Sequence, residues 1–410
     1  MNPVILLDGA MGTMLQAAGL PAGGLPETWN ILHPEVVVGI QKQYVDAGSN
    51  IIFANTFGAN RLKTAGCGYT VRELVSAGIA CARKAAEGTD TKVALDIGPI
   101  GQMLRPLGML SFDEAYDIFR EMVEAGEEAG ADMVIFETMG DLREIKAGIL
   151  AAREHSALPI WATMTFEKSR RTFVGVSIPA MALTLGSLGV EAMGFNCSLG
   201  PKELLPMAEE LMKWTDKPVI LKPNAGLPDS VTGRYSITPE EFSEEVLKGL
   251  SLGIGIFGGC CGTSPDFIAA LKEKAAAPAP RKAATMTGVC SASQVIDPEE
   301  SPEIGHSMAG GSEDYLEAVE DEDFDSMADL CMEDMDEDAE VIHIHLEGDI
   351  FPRAVEEIQA VVNLPMLLSS GDTEALEQAI RAYNGRPLVL VRDEETRALC
   401  EKYGAEPLEA

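Results

Sequence analysis

Three cysteines in two short motifs are the residues whose types and spacing point most directly to chemistry. Cys197 lies in Gly-Phe-Asn-Cys-Ser, and Cys260 and Cys261 lie 63 residues further on (260 - 197 = 63) in Phe-Gly-Gly-Cys-Cys-Gly. The glycines around the vicinal pair allow the backbone to turn so that both sulfurs can face the same way. Three thiolates on one ion would leave its fourth position open, as in catalytic zinc sites. The alternative to a metal site is that the three cysteines are ordinary buried residues of the core.

Eight apolar runs, separated by helical patterns, must position these cysteines. The runs are Val4–Leu7, Ile51–Ala54, Val93–Ile97, Met133–Phe136, Ile160–Phe166, Ala192–Asn196, Val219–Leu221 and Ile254–Phe257. Helical patterns such as Phe112–Ala129 and Pro239–Leu252 lie between them. Eight units of this kind predict an α/β fold, the (β/α)8 TIM barrel, in which chemistry takes place at the carboxyl ends of the strands. The cysteines follow the sixth and eighth runs, so barrel closure would bring them together.

Nine motifs occur in the same order as in a known family. They are DGAMGTMLQ, PETWN, NTFGAN, LDIGPIG, FET, MTF, GFNCSLGP, KPNAG and GGCCGTSP. With these motifs, residues 1–272 resemble homocysteine S-methyltransferases, especially the homocysteine-binding barrel of cobalamin-dependent methionine synthase. The resemblance implies Zn²⁺ on Cys197, Cys260 and Cys261 and methyl transfer to the homocysteine thiol, giving methionine. It also implies that Asn224 occupies the fourth zinc position when homocysteine is absent.

The same resemblance suggests contacts for the amino-acid end of homocysteine. The candidates are Asp8, Gly9, Ala10, Met11, Gly12, Thr13, Asn55, Thr56, Glu137 and Asn224. The turn of residues 9–13 offers backbone N–H groups to a carboxylate, and Asp8 and Glu137 can hold the ammonium group. Each carboxylate has a structural alternative, because Asp8 could cap the turn and Glu137 could pair with Lys146 or Arg143.

Charge and hydropathy exclude several other classes of protein. The 410 residues carry a formal net charge of -34, which opposes binding to nucleic acid or to anionic lipid. No run of about 18 apolar residues is present, so no membrane span is expected. The start of the chain lacks the features of a signal peptide. Eight scattered cysteines do not form a disulfide scaffold. We therefore expect a cytoplasmic protein.

Three further parts are predicted after a barrel of residues 1–275. Residues 276–296 are rich in Ala, Pro and Ser and predict a linker. Residues 297–340 hold 19 Asp and Glu and no Lys or Arg, which favours a solvated, partly disordered acidic segment, with a docking surface for a basic partner as the alternative. Residues 341–410 predict a small α/β half-barrel that resembles a truncated pterin-binding barrel without its folate-binding residues.

Two histidines of this last part alternate on one strand. His343 and His345 occur in Val-Ile-His-Ile-His-Leu-Glu-Gly, so their side chains share one face of the strand. A metal-binding pair is one interpretation. Ordinary histidines at the edge of the core are the more common meaning of such a pattern.

The sequence leaves the methyl donor open. It has no Asp-x-His-x-x-Gly motif of the cobalamin-binding type, so a methyl-corrinoid on a separate protein is the first hypothesis for the donor. A small donor such as S-methylmethionine or betaine is the second. A non-catalytic module that binds zinc or a thiol amino acid is the third. At position 222 relatives often carry an acidic or aromatic residue, whereas this chain has Lys222. This difference concerns the side of the pocket that would face the methyl donor.

Overall fold

Eight short parallel strands form a nearly closed barrel in the computed structural model, which describes residues 4–227, 235 and 237–409. The strands are β1 Ile5–Leu6, β2 Ile51–Phe53, β3 Lys92–Ile97, β4 Met133–Met139, β5 Ile160–Met164, β6 Ala192–Asn196, β7 Val219–Lys222 and β8 Ile256–Phe257. Their hydrogen-bonded order is β1-β8-β7-β6-β5-β4-β3-β2. The predicted (β/α)8 barrel is confirmed. Its residues 1–3, 228–234 and 236 lie outside the described residues.

The seam between β1 and β2 is joined partly by side chains. The Asn50 N–H donates to the Leu6 carbonyl at 2.7 Å, and the Leu6 N–H donates to Asn50 Oδ1 at 2.8 Å. One step further along, the Phe53 N–H donates to Asp8 Oδ2 at 2.7 Å. Asp8 therefore supplies an acceptor where the ladder between neighbouring strands is incomplete, and it does not cap the turn that follows β1.

Among the described residues, ten α-helices accompany the barrel strands. They are α1 Met11–Ala17, α2 Trp29–Leu32, α3 Pro34–Ala47, α4 Val71–Ala85, α5 Phe112–Glu128, α6 Leu142–His155, α7 Ile178–Ser187, α8 Pro201–Leu211, α9 Pro239–Val246 and α10 Pro265–Lys274. Capping boxes at Thr70, Ser111 and Thr238 start three of them. The predicted helix over 239–252 divides, because Leu247–Leu252 is a 3₁₀ helix that ends at Gly253 (φ +91°). Within the described residues, no helix is both long and apolar enough to cross a membrane.

The chain after the barrel is more ordered than the sequence suggests. Two short antiparallel strands, β9 Val289–Cys290 and β10 Val295–Ile296, lie inside the predicted linker. Much of the acidic segment is regular too, since it holds β11 Ile304–Gly305, α11 Glu313–Glu320 and α12 Phe324–Asp336. These elements are regular, whereas the sequence predicted partial disorder in this segment. The domain boundaries at 275, 296 and 340 stay a prediction.

A second, open sheet contains five parallel strands in the order β11-β12-β13-β14-β15. Its remaining elements are β12 Val341–His345, α13 Ile350–Val361, β13 Met366–Ser369, α14 Thr373–Ala382, β14 Leu388–Val391, α15 Glu394–Tyr403 and β15 Glu406–Glu409. Strand order follows chain order, as it does in half of a (β/α)8 barrel. All five carboxyl ends therefore lie at one edge of the sheet.

Buried polar contacts attach this second sheet to helix α6 of the barrel. Lys146, only 1% exposed, donates from Nζ to the carbonyls of Ile380 at 2.7 Å and Tyr383 at 2.9 Å. Arg143 forms an ion pair with Glu356. Lys146 and Arg143 therefore serve the contact between the two sheets, and the idea that either one pairs with Glu137 is wrong.

Candidate metal and substrate site

A strained backbone presents Cys197 at the end of β6. Cys197 and the next residue, Ser198, have φ angles of 60° and 51°. Residues other than glycine rarely adopt this left-handed conformation, and such strain concentrates at functional sites. The neighbouring strand holds the turn in place, because the Cys197 N–H donates to the Lys222 carbonyl at 3.3 Å.

The vicinal cysteines follow β8 in a loop that requires its glycines. A Cβ atom at Gly259 would collide with the Thr263 side chain, and Gly262 has a φ of +80°. The Cys260 N–H donates to the Pro223 carbonyl at 2.8 Å, which ties the loop to the end of β7. Both cysteine side chains consequently contribute to one cluster, as the sequence predicted.

The three sulfur atoms are spaced as ligands of one ion would be. Cys197 Sγ lies 3.9 Å from Cys261 Sγ, and all three sulfurs lie within 4.8 Å of one another. Thiolates on a tetrahedral Zn²⁺ at about 2.3 Å would be about 3.8 Å apart. Hydrogen bonding with Cys197, together with burial, raises the pKa of Cys260 to about 12. A divalent cation would offset this cost of ionising buried thiols, so the donor set fits zinc.

A cavity of about 300 Å³ opens beside the sulfurs at the carboxyl edge of the barrel. Most predicted substrate contacts line it. They are Asp8, Gly9, Ala10, Met11, Gly12, Thr13, Asn55 and Glu137, together with the three cysteines. The first turn of α1, which starts at Met11, has no side-chain cap. The backbone N–H groups of that turn are therefore not used by a capping side chain.

Thr56 and Asn224 do not line this cavity. The Thr56 hydroxyl donates to the Asp96 carbonyl at 2.8 Å and is fully buried. Asn224 is buried, and its Oδ1 has no hydrogen-bond partner among the described residues. Asn55 does line the cavity, but its Nδ2 donates to the Pro26 carbonyl at 2.8 Å. The Thr56 hydroxyl and Asn55 Nδ2 therefore already donate to protein carbonyls, whereas Asn224 Oδ1 has no donor among the described residues.

Lys222 is the main polar residue that the substrate prediction missed. Its Nζ lies 3.0 Å from Glu137 Oε2, 4.0 Å from Asp8 Oδ1 and 4.5 Å from the centre of the Phe53 ring. The side chain is 4% exposed. Burial lowers the pKa of Lys222, but Glu137 and the other nearby anions outweigh that effect and raise it above its ordinary value. Lys222 is therefore a charged partner of both predicted ammonium ligands.

Two further carboxylates, Glu27 and Asp96 of β3, also line the cavity. Burial and the nearby Glu137 raise the pKa of Asp96 well above its ordinary value. Burial likewise raises the pKa of Asp8 to about 7, although Lys222 opposes this shift. Asp8 Oδ1 and Asp96 Oδ1 are buried without a hydrogen-bond partner among the described residues. In the sequence, Asp96 and Lys222 are charged residues near the ends of otherwise apolar strands. That pattern could have indicated that both belong to the site.

Thr138 and Asn196 connect the carboxylate side of the cavity to the sulfur side. Thr138 has a φ of 62°, which is unusual for a β-branched residue. Asn196 Oδ1 accepts from the Thr138 N–H at 2.8 Å, and Asn196 Nδ2 lies 3.8 Å from Cys260 Sγ. No pattern in the sequence indicated this link, because it joins the ends of β4 and β6.

Fold and site together define a (β/α)8 protein with a thiol cluster beside a carboxylate-lined cavity. A model of the homocysteine S-methyltransferase family matches residues 5–275. The chain belongs to the homocysteine S-methyltransferase family.

Two curated relatives are similar along most of this chain. The methionine synthase of Mycobacterium tuberculosis is 29% identical over 420 residues, covering 93% of this chain and 35% of the relative. The methionine synthase of Mycobacterium leprae is 29% identical over 428 residues, covering 94% and 35%. The chain therefore spans about a third of the length of these relatives.

Solved structures of similar fold match about two thirds of the chain. A metallated form of the homocysteine methyltransferase MmuM from Escherichia coli is 25% identical, with a TM-score of 0.58, and the match covers 67% of this chain and 97% of that one. Its apo form is also 25% identical, with a TM-score of 0.54 and the same coverage. Each match covers about two thirds of this chain, a share similar to that of residues 5–275.

Proposed function

We propose that this chain transfers a methyl group to the thiol of homocysteine, giving methionine, and that Cys197, Cys260 and Cys261 hold a zinc ion for this reaction. Zinc held by these three thiolates would favour the ionised form of a substrate thiol, whose sulfur stays nucleophilic. The convergence of three sulfurs within 4.8 Å beside a cavity, in a member of this family, is the observation that carries the proposal.

The charges of the cavity support an amino-acid substrate. Among the described residues, four buried carboxylates line the cavity, those of Asp8, Glu27, Asp96 and Glu137, together with one lysine, Lys222. Burial raises the pKa of Asp8 and of Asp96, so a second cation beside Lys222, such as the ammonium group of an amino acid, would stabilise the ionised forms of these carboxylates. Asp8 Oδ1 and Asp96 Oδ1 lack partners among the described residues and could accept hydrogen bonds from it.

The turn of residues 9–13 is proposed to receive the carboxylate of the substrate. It lines the same cavity, and no side chain caps the first turn of the helix that it starts. Backbone N–H groups at a helix start favour an anion. An α-amino acid carries its ammonium and carboxylate groups on one carbon. The turn would therefore bind the carboxylate of the substrate while the carboxylate cluster binds its ammonium group. This orientation would place the thiol side chain toward the cysteines.

For the methyl donor we propose a methyl-corrinoid on a separate protein. Large apolar side chains are exposed on loops at the face where the cavity opens. They are Met103, Leu107, Met109, Phe173 and Leu227. These residues follow β3, β5 and β7, and we propose that they adjoin one another as a contact surface for the donor. A bulky donor needs such a surface, whereas S-methylmethionine or betaine would fit within the cavity.

One assay tests the reaction and the donor together. Purified protein loaded with zinc is incubated with homocysteine and with methylcobalamin, S-methylmethionine or betaine, and methionine is measured. We expect methionine to form with methylcobalamin. Formation with S-methylmethionine or betaine alone would replace the donor assignment, and no methionine with any donor would contradict the proposed reaction.

A further inference from the structure

A second group of metal-ligating side chains lies at the carboxyl edge of the open sheet, far along the chain from the cysteines. Three of the five histidines of the chain are found there. His306 directly follows β11, and His343 and His345 belong to β12. Since β11 and β12 are parallel neighbours, the ends of both strands lie at the same edge. Ligands of open parallel sheets bind at this edge.

The two strand histidines converge on one hydroxyl group. His343 Nε2 lies 2.8 Å from Ser369 Oγ, and His345 Nδ1 lies 2.9 Å from the same atom. The hydroxyl has a single proton, so it can donate to only one of the two rings, and the other ring must donate its own N–H. The intervening Ile344 is fully buried on the opposite face, which fixes both imidazoles on the open face.

Further groups complete the surroundings of this pair. The His306 ring centre lies 5.9 Å from that of His343. Glu347 Oε1 lies 3.6 Å from His345 Nε2. The Glu347 carboxylate is held by the N–H groups of Gly371 at 2.6 Å and Asp372 at 2.7 Å. A fixed carboxylate beside an imidazole is a common arrangement around metal-binding histidines.

We propose that His306, His343 and His345 form a second metal site, one that takes a single divalent ion of the zinc, cobalt, nickel and copper class. Imidazoles favour these ions over magnesium and calcium, which prefer oxygen ligands. Two histidines separated by one residue on a strand supply two ligands to one side of an ion, and a third comes from the neighbouring strand. Glu347 or water would take the remaining position.

Binding requires a movement that the structure permits. Among the described residues, only the cysteine cluster already has its ligand atoms within 4.8 Å of one another. The ring of His306 must therefore turn toward the pair, and His306 is exposed at the surface. The His345 side chain is 34% exposed, so an ion can reach it from solvent.

Cobalt(II) binding to the full chain tests this site separately from the cysteine site. Thiolate ligands give cobalt strong charge-transfer bands that nitrogen ligands do not, so one titration distinguishes the two sites. We expect two cobalt ions per chain by elemental analysis after dialysis, one of them with thiolate bands. The double variant His343→Gln/His345→Gln should keep the thiolate bands and bind one ion fewer. His33→Gln, a substitution on the barrel, is the matched control and should bind as many ions as the unchanged chain.

A substitution of one exposed residue tests whether misfolding of the double variant explains its loss of an ion. His306→Ala should weaken cobalt binding at the second site by about tenfold or more and leave the thiolate bands unchanged. If the unchanged chain binds no ion beyond the thiolate-bound one, or if the double variant binds as many ions as the unchanged chain, the histidine site is refuted. One bound ion without thiolate bands, lost in the double variant, would support the histidine site and count against the cysteine site.

Discussion

The closed barrel and the open sheet each place a cluster of metal-ligating side chains at the carboxyl edge of parallel strands, but in different surroundings. The barrel cluster draws on Cys197 and Cys260, which are 63 residues apart in sequence (260 - 197 = 63), and Cys260 is only 8% exposed. The sheet cluster depends on His343 and His345, which are two residues apart, and the His345 side chain is 34% exposed.

This difference shows what closing a barrel changes physically. Closure surrounds the cluster with protein on most sides, so charges there lose much of their contact with water and need partners. The contacts of Lys222 with Glu137 and Asp8 meet this need. An open edge leaves its polar groups partly hydrated and requires no such compensation. We therefore expect substitutions in the barrel site to have larger effects than substitutions in the sheet site.

The largest effect is expected from Cys260→Ala. With two thiolates left, the barrel site should lose most of its zinc, and methionine formation should fall by more than about 100-fold, beyond what loss of an outer-shell partner costs. Elemental analysis and the methionine assay measure both effects. Cys67→Ala is the control, because Cys67 is a free cysteine outside the cluster. Full zinc content in Cys260→Ala would refute the ligand assignment.

The buried ion pair should contribute strongly to stability. Lys222→Met leaves Glu137 and Asp8 without their cation and should lower the free energy of unfolding by about 3–5 kcal/mol, measured by urea denaturation. The double variant Lys222→Met/Glu137→Gln should recover part of this loss. Lys248→Met removes an exposed pair with Glu245 and should cost less than about 1 kcal/mol. Equal costs for the two single variants would contradict the role given to burial.

Substrate affinity should depend on Glu137 beyond its contribution to folding. Glu137→Gln should weaken homocysteine binding by about 1.5–3 kcal/mol, the range for hydrogen bonds to charged groups. Isothermal titration calorimetry measures this difference. Glu144→Gln is the control, because Glu144 is buried but does not line the cavity. If Glu137→Gln loses stability but keeps its affinity, Glu137 serves only to balance Lys222.

The smallest effect should come from the exposed rim of the barrel. Phe173 is 65% exposed, and Phe173→Ser should lower the rate with methylcobalamin by about tenfold, because part of an apolar contact is lost. The rate with S-methylmethionine, if that donor is used at all, should not change. Val361→Ser, at an exposed apolar position of the open sheet, is the control. An equal loss of rate with both donors would argue against a docking role for the rim.

Local patterns predicted the elements of the barrel better than those of the open sheet. The run Ala192–Asn196 coincides with β6, and the pattern from Phe112 predicted a helix ending one residue beyond α5. Strand β11 is two residues long and, unlike β1 and β8, does not lie in a longer apolar run, so it produces no pattern. In α12 the buried Met327 and Cys331 lie four residues apart, but the acidic residues around them concealed that spacing.

The sequence by itself determined the ligand types, their order along the chain and the starts of helices such as α5 at Ser111. These features depend on neighbouring residues, so a linear pattern contains them. Only the tertiary structure decided which charges pair. Glu137 ends up against Lys222 because β4 and β7 bring them together across the barrel, whereas Lys146 contacts the second sheet. Pairing depends on distance in space, and residues far apart in sequence acquire that distance only when the barrel closes.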